Sequence, residues 1–400
     1  MPDTPSVYDE IGVPAVINAA GTKTRIGGSL IREEAVEAMA DAATGFARIS
    51  DLQARASDLV SEVTGAEAGY VASGAASAMT LGAAAAIAGD DPGAMARLPD
   101  TEGVPSEIVM PRTHRTGYDH ALRAAGAEIV DVGTNDYHLG TGAANVEPWE
   151  IADAITDETA AVGYVQKPYT QPPLETVVEI AHDHGVPVIV DAAAELPPAS
   201  NLTRFIDLGV DLVVFSGGKA IRGPQSTGIL AGRADLVESA ALQHLDMHAA
   251  SEAWEPPESL FDVRDIDGVP RQGIGRSMKV GKEELVGLIR ALELFVEEDH
   301  DALVAEWQAR AERIGDSLGA IEGLTCSITG AEKTAVAPEV VADLGDSPVD
   351  AADLVAALRR EEPRVYVGAD GLHNSEFTVN PMCLTDEEAD YVVERIEANI

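Results

Sequence analysis

The run Leu212-Val213-Val214-Phe215-Ser216-Gly217-Gly218-Lys219 passes from four apolar residues to three small ones and then to a lysine. A short apolar run bounded by glycines reads as a buried strand, and a lysine just past it stands at the carboxyl end, where α/β sheets bind ligands. Small residues continue through Arg222-Gly223-Pro224-Gln225-Ser226-Thr227-Gly228, so a planar ring can come close to the backbone here. Lys219 is thereby placed to form a Schiff base. The competing reading is a surface lysine in a glycine-rich turn. Lysine usage favours the first, because only six of the 27 basic residues are lysine: Lys23, Lys167, Lys219, Lys279, Lys282 and Lys333.

Outward from this stretch, short β-branched runs alternate with helical patterns from about Gly69 to Arg233, the signature of a parallel sheet covered on both faces. Strands are expected at Gly69–Ala72, Glu107–Met110, Glu128–Val132, Ala160–Val165, Val186–Val190, Leu212–Phe215 and Gly228–Ala231, with helices at Ala75–Ala88, Tyr118–Ala124, Pro148–Ile155 and Leu174–His184. That predicts an α/β fold with a mostly parallel seven-stranded sheet in the larger domain. The pattern dissolves over Trp254–Arg276 and resumes as a long amphipathic helix, Lys282–Leu318, with a break inside it. Expected segments at Leu324–Thr329, Ala335–Leu344, Val349–Glu361, Arg364–Val367 and Asp386–Ala398 make a small α+β C-terminal domain. The division read from this is an N-terminal segment over 1–45, a large ligand-binding domain over 46–275, and a linking helix with the small domain over 276–400.

Three further groups converge on the same end of the sheet. Val186–Val190 runs into Asp191, and a carboxylate ending a buried strand is costly unless a cation neutralises it. A protonated pyridine nitrogen would do so, and pyridoxal 5'-phosphate needs such a partner. Taken alone, Asp191 reads equally as a helix N-cap or a Mg²⁺ ligand; beside Lys219 those readings fall behind. The turn Ser73-Gly74-Ala75-Ala76-Ser77 joins a strand to a helix start, so free backbone N–H groups and serine hydroxyls form a phosphate cradle. It lacks both G-x-G-x-x-G and a Walker lysine, which argues against dinucleotides and nucleoside triphosphates. His114 follows the strand Glu107–Met110, where its imidazole could lie over a cofactor ring, although a lone histidine in a turn is more often structural.

With 68 acidic against 27 basic side chains the net charge is −41, spread along the chain. An even carboxylate excess keeps a surface hydrated at high salt, so the chain reads as a salt-adapted, halophilic protein; an ordinary acidic protein accounts less well for the scarce lysine. Nucleic acid as a partner is disfavoured, since phosphate contacts need clustered Lys and Arg. Cys326 and Cys383 form no spaced metal motif, and no metal site is expected. No stretch reaches 18 uninterrupted apolar residues, and Met1–Tyr8 does not read as a secretory leader, so a cytoplasmic protein without a membrane partner is expected.

Four motifs together resemble a known family: Asp191-Ala192-Ala193-Ala194, Phe215–Lys219 with Arg222–Gln225, Asn18-Ala19-Ala20-Gly21-Thr22, and Gly275–Glu283. They look like fold-type I pyridoxal-phosphate enzymes of the seryl-tRNA selenium transferase superfamily, and more narrowly like the branch that includes D-glucosaminate-6-phosphate ammonia-lyase. The resemblance runs from about Val13 to Asp386. It implies that Lys219 carries pyridoxal 5'-phosphate as a Schiff base, that Asp191 holds the ring nitrogen, that Ser73–Ser77 and Ser216 hold the phosphate, and that His114 stacks on the ring. It also implies a homodimer whose sites are completed by the Asn18–Arg25 arm and the Gly275–Lys282 loop. Arg276, Arg364 and Arg25 are candidates for a substrate carboxylate, with an interface ion pair the equal alternative for Arg276. The activity implied is loss of water and ammonia from a 2-amino-3-hydroxy acid, such as an amino sugar acid. Its rivals are an aminotransferase, selenium transfer onto seryl-tRNA, and a metabolite-binding protein without turnover.

Overall fold

A computed structural model of the chain describes residues 7–134, 146–168, 170–245, 250–261, 271–329, 337–345 and 347–400. These residues form two compact units, one of Ile31–Glu297 and a smaller one of Met1–Leu30 with Glu298–Ile400. Strand β1 (Val16–Ala19) belongs to the smaller unit. The larger holds β2 (Ala68–Ala72), β3 (Glu107–Pro111), β4 (Glu128–Val132), β5 (Thr159–Val165), β6 (Val188–Asp191), β7 (Leu212–Ser216) and β8 (Gly228–Gly232).

The seven strands lie in the order β2-β8-β7-β6-β5-β3-β4, and every pairing is parallel except the two made by β8. Strands β5 and β8 are buried at every position, as sheets covered on both faces require. One cover is the helix Ala75–Ala88, which is apolar all round and buried over most of its length. Gly82 allows its close approach: a Cβ there would already touch Leu212 and Leu230 at 3.4 and 3.5 Å. The seven expected strands are therefore the seven observed ones, displaced by at most two residues at an end.

In the smaller unit β9 (Thr325–Ile328), β10 (Val340–Asp343) and β12 (Glu376–Val379) form an antiparallel sheet, while β11 (Arg364–Val367) pairs in parallel with β1. The start of the expected Ala335–Leu344 segment, through position 336, lies outside the described residues. The Asn18–Thr22 motif is the exit from β1. Asn18 Nδ2 donates to the carbonyls of Gly21 and Gly28, and its Oδ1 accepts from the Ala20 N–H, which shapes the turn that follows.

The boundaries expected at 45 and 275 differ from this division. The long helix breaks at Asp299, whose side chain caps the second half by accepting from Ala302 N–H at 3.0 Å. Its first half, Lys282–Glu297, packs within the larger unit against the helix Glu33–Ala43; a Cβ at Gly287 would collide with Met39. The larger unit therefore extends back to position 31 and forward to 297.

At the amino end of β7, buried Asp211 accepts from Val188 N–H at 2.8 Å and His182 Nε2 at 2.9 Å, and Arg233 Nη1 donates to its other oxygen at 3.1 Å. This carboxylate joins two strands and a helix far from the carboxyl ends of the strands. Asp211→Ala leaves those donors unpaired and should cost about 2 to 3 kcal/mol, less than a fully buried pair because Arg233 is half exposed. Urea unfolding checks this; an unchanged midpoint contradicts it.

Candidate active site

Strand register brings the separated motifs to one edge. Ala72, Gly228 and Ser216 are direct partners across β2, β8 and β7, and Asp191 of β6 is paired with Val214. With neighbouring strands about 4.8 Å apart, the Ser73 turn, the Lys219 turn and Asp191 span roughly 15 Å.

Lys219 leaves β7 through a turn in which each glycine is demanded by the returning chain. A Cβ at Gly217 would lie 2.1 Å from Thr227 Oγ1, and one at Gly218 would lie 2.5 Å from the Gln225 backbone. The turn is closed by the Gly223 N–H on the Gly217 carbonyl and by Arg222, whose φ of 58° is left-handed. Buried Arg32 donates from Nε to the Ile221 carbonyl at 3.0 Å and fixes the far side. The backbone carrying half-buried Lys219 is thus immobilised before any ligand binds.

Asp191 is half-buried, with Oδ1 accepting from Ala193 N–H at 3.0 Å. Among the described residues no cation pairs with it. At the other end, Gly74 adopts a φ of 116° and starts the helix Ala75–Ala88, so the amides of Ala75, Ala76 and Ser77 belong to the first turn and lack helical partners. Ser73 Oγ and Ser77 Oγ lie 3.1 Å apart beside them. Gly228 cannot carry a side chain, since its Cβ would sit 2.2 Å from the Gly74 backbone. Ser216 is half-buried between this turn and Asp191.

Two groups that sequence reasoning passed over also lie at this edge. Gln166 Oε1, just past β5, and Thr113 Oγ1, just past β3, are buried without a partner among the described residues. Gln166 is adjacent to Asp191, because its N–H donates to the Asp191 carbonyl at 3.0 Å. Buried orphan oxygens at the carboxyl ends of neighbouring strands call for a polar ligand. The donor set fits pyridoxal phosphate: helix-terminal amides and hydroxyls for its phosphate, a carboxylate for its ring nitrogen, a lysine for its aldehyde.

His114 is the residue expected to stack on a cofactor ring. It is 1% exposed, edge-on to Tyr164 at 4.5 Å, with Nε2 donating to the Gln171 carbonyl and Nδ1 facing the Val165 N–H. That arrangement braces the end of β3 against β5. Arg276 is half-buried in the turn Ile274–Met278, which touches the Ser73–Ser77 turn through the Ser73 N–H on the Met278 carbonyl at 3.1 Å. It lines a cavity of about 520 Å³ with Lys279, Trp254 and Phe261. Arg25 and Arg364 are exposed and belong to the smaller unit.

The description "Aminotransferase class-V" matches residues 122–257 of this chain. The chain is 31% identical to D-glucosaminate-6-phosphate ammonia lyase of Salmonella typhimurium, over 98% of its own length and 97% of that protein. It is also 31% identical to 5'-C-glycyluridine monooxygenase-decarboxylase of a Streptomyces species, over 98% and 91%. A solved structure of D-glucosaminate-6-phosphate ammonia-lyase superposes with a TM-score of 0.79 at 30% identity, covering 99% of this chain and 98% of that one.

Burial holds the pKa of His114 at about 4, and that of His244, bonded to Tyr70 and Met278, also at about 4. Both values lie below the ordinary 6.5, so as pH falls the unfolded chain takes up protons that the folded chain refuses. The stability they contribute is present above pH 6.5 and is lost between 6.5 and about 4. In His114→Gln the loss across that window should be smaller than in the wild type, as read by urea midpoints at several pH values. Parallel curves contradict this.

Proposed function

The chain belongs to the family of fold-type I pyridoxal-phosphate enzymes that includes D-glucosaminate-6-phosphate ammonia lyase, and from that premise we propose that it removes water and ammonia from a 2-amino-3-hydroxy acid, D-glucosaminate-like and phosphorylated, to give a 2-keto-3-deoxy acid. The cofactor is pyridoxal 5'-phosphate. The observation that carries the reading is the half-buried Lys219 on a rigid turn, one strand from a carboxylate that has no cation among the described residues.

When bound, the cofactor withdraws electrons from the substrate α-carbon. Lys219 Nζ would hold it covalently and would be the base that takes the substrate α-proton. Asp191 keeps a proton on the ring nitrogen. The amides of Ala75 to Ser77, with the Ser73, Ser77 and Ser216 hydroxyls, hold the phosphate. His114 supports the strand ends. Among Arg276, Arg364 and Arg25, candidates for the substrate carboxylate, Arg276 stands in the cofactor's own unit beside the phosphate turn.

A homodimer is part of this reading. Within the larger unit Val36, Phe46 and Ile49 are exposed, Phe46 wholly so at 104%, and a run of large apolar side chains facing water is suited to a second copy. Cys326 and Cys383, which form no disulfide with each other, suit a reducing cytoplasm, and the net charge of −41 suits high salt.

The Streptomyces relative, equally identical, carries a name that describes oxygenation and decarboxylation, so the assay must separate the two chemistries. With D-glucosaminate 6-phosphate the protein should release ammonia and keto acid in equal amounts, with no added keto acid and no oxygen uptake. Lys219→Ala should lower kcat at least about a thousandfold. Release of carbon dioxide with oxygen consumption, or a requirement for an acceptor keto acid, contradicts the proposal.

A further inference from the structure

Beside Asp191 lies an ion pair that the proposed chemistry does not use. Lys167 follows Gln166 at the end of β5, and its Nζ donates to Glu195 Oε1 at 3.0 Å. Glu195 is 5% exposed and only four residues past Asp191. Both partners are therefore tied to the ring-nitrogen carboxylate, Lys167 through strand register and Glu195 through the loop after β6. Val165 is paired with Asp191, and the Gln166 N–H bonds the Asp191 carbonyl.

The arrangement carries a conflict. A half-buried carboxylate that has no cation among the described residues attracts any lysine within reach, and a side chain of about 6 Å starting one residue from Gln166 is within reach of Asp191. A Lys167–Asp191 pair would block the position that the ring nitrogen must take. Burying a second carboxylate next to the first is itself costly, and burial does push the Glu195 pKa up, with the Lys167 charge opposing that rise and the Asp191 charge adding to it. A buried acid in so unfavourable a place, in a chain where only six lysines are present, calls for a purpose.

We propose that Glu195 is a positioning residue that sequesters Lys167, and so keeps the Asp191 carboxylate free of protein cations for the cofactor nitrogen. Two bonds fix the backbone that carries the pair: the Gln166 side-chain amide donates to the Lys167 carbonyl at 3.1 Å, and Asn201 Nδ2 donates to the Glu195 carbonyl at 2.6 Å. The role concerns cofactor binding and is independent of which substrate is used.

The test is the affinity of the apoprotein for pyridoxal 5'-phosphate, titrated by absorbance, in wild type, Glu195→Gln, Lys167→Met and the double variant. Glu195→Gln frees Lys167 to pair with Asp191 and should weaken cofactor binding about tenfold, the size of coupling measured between charged groups in contact. Lys167→Met should bind within about threefold of wild type, since Glu195 then neutralises itself by taking a proton. The double variant should recover the affinity lost in Glu195→Gln. A purely structural role for Glu195 would leave the double variant as weak as Glu195→Gln, and that result overturns the proposal. Wild-type affinity in Glu195→Gln overturns it equally. Because no substrate enters the titration, failure of the ammonia-lyase assay and failure of this proposal are read separately.

Discussion

A carboxylate half-buried at the end of a central strand is the constraint around which the larger unit is arranged. Asp191 keeps one backbone hydrogen bond and, among the described residues, no cation. Left so, it costs free energy; a cationic ring nitrogen removes the cost and gains a strong, charge-assisted hydrogen bond. The neighbouring lysine is bonded elsewhere, to Glu195, so the free energy of pairing is reserved for the cofactor. Stability is given up at one position and returned only in the loaded protein.

Register converts this local feature into a site. Parallel strands with all carboxyl ends on one edge place the Ser73–Ser77 turn, the Lys219 turn and the Asp191 carboxylate in line, and antiparallel β8 between β2 and β7 brings the first two within two strand spacings. Glycines at 217, 218 and 228 are demanded by backbone approach at these turns, where any Cβ would strike neighbouring atoms. Rigidity is thus built in by packing before the ligand arrives, which lowers the ordering cost of binding.

Much of this was legible in the residues. Strands β2 to β8 announce themselves because buried strands are short, apolar and punctuated by glycine, and Lys219 and Asp191 stand where two such runs end. What escaped has a physical reason in each case. Strand β12 (Glu376–Val379) mixes polar with apolar positions, and the β1–β11 pairing joins residues almost 350 positions apart, which periodicity does not report. The break expected within Lys282–Leu318 was legible as such, but its place at Asp299 was not, because it is a capping event inside a continuous amphipathic pattern. His114 was read as a ring-stacking residue from its position after β3, but only the fold shows that its two nitrogens face the backbone of neighbouring segments. The Lys167–Glu195 pair spans 28 residues, and its sole trace in the sequence is the rarity of lysine.

The account depends on Lys219 being the residue that carries the cofactor. Borohydride reduction of the holoprotein, followed by peptide mass mapping, tests that directly. The expected result is one pyridoxyl adduct, on the peptide containing Lys219. An adduct on Lys167 or on any other lysine, or a protein that takes up pyridoxal phosphate yet yields no reduced adduct, would contradict it.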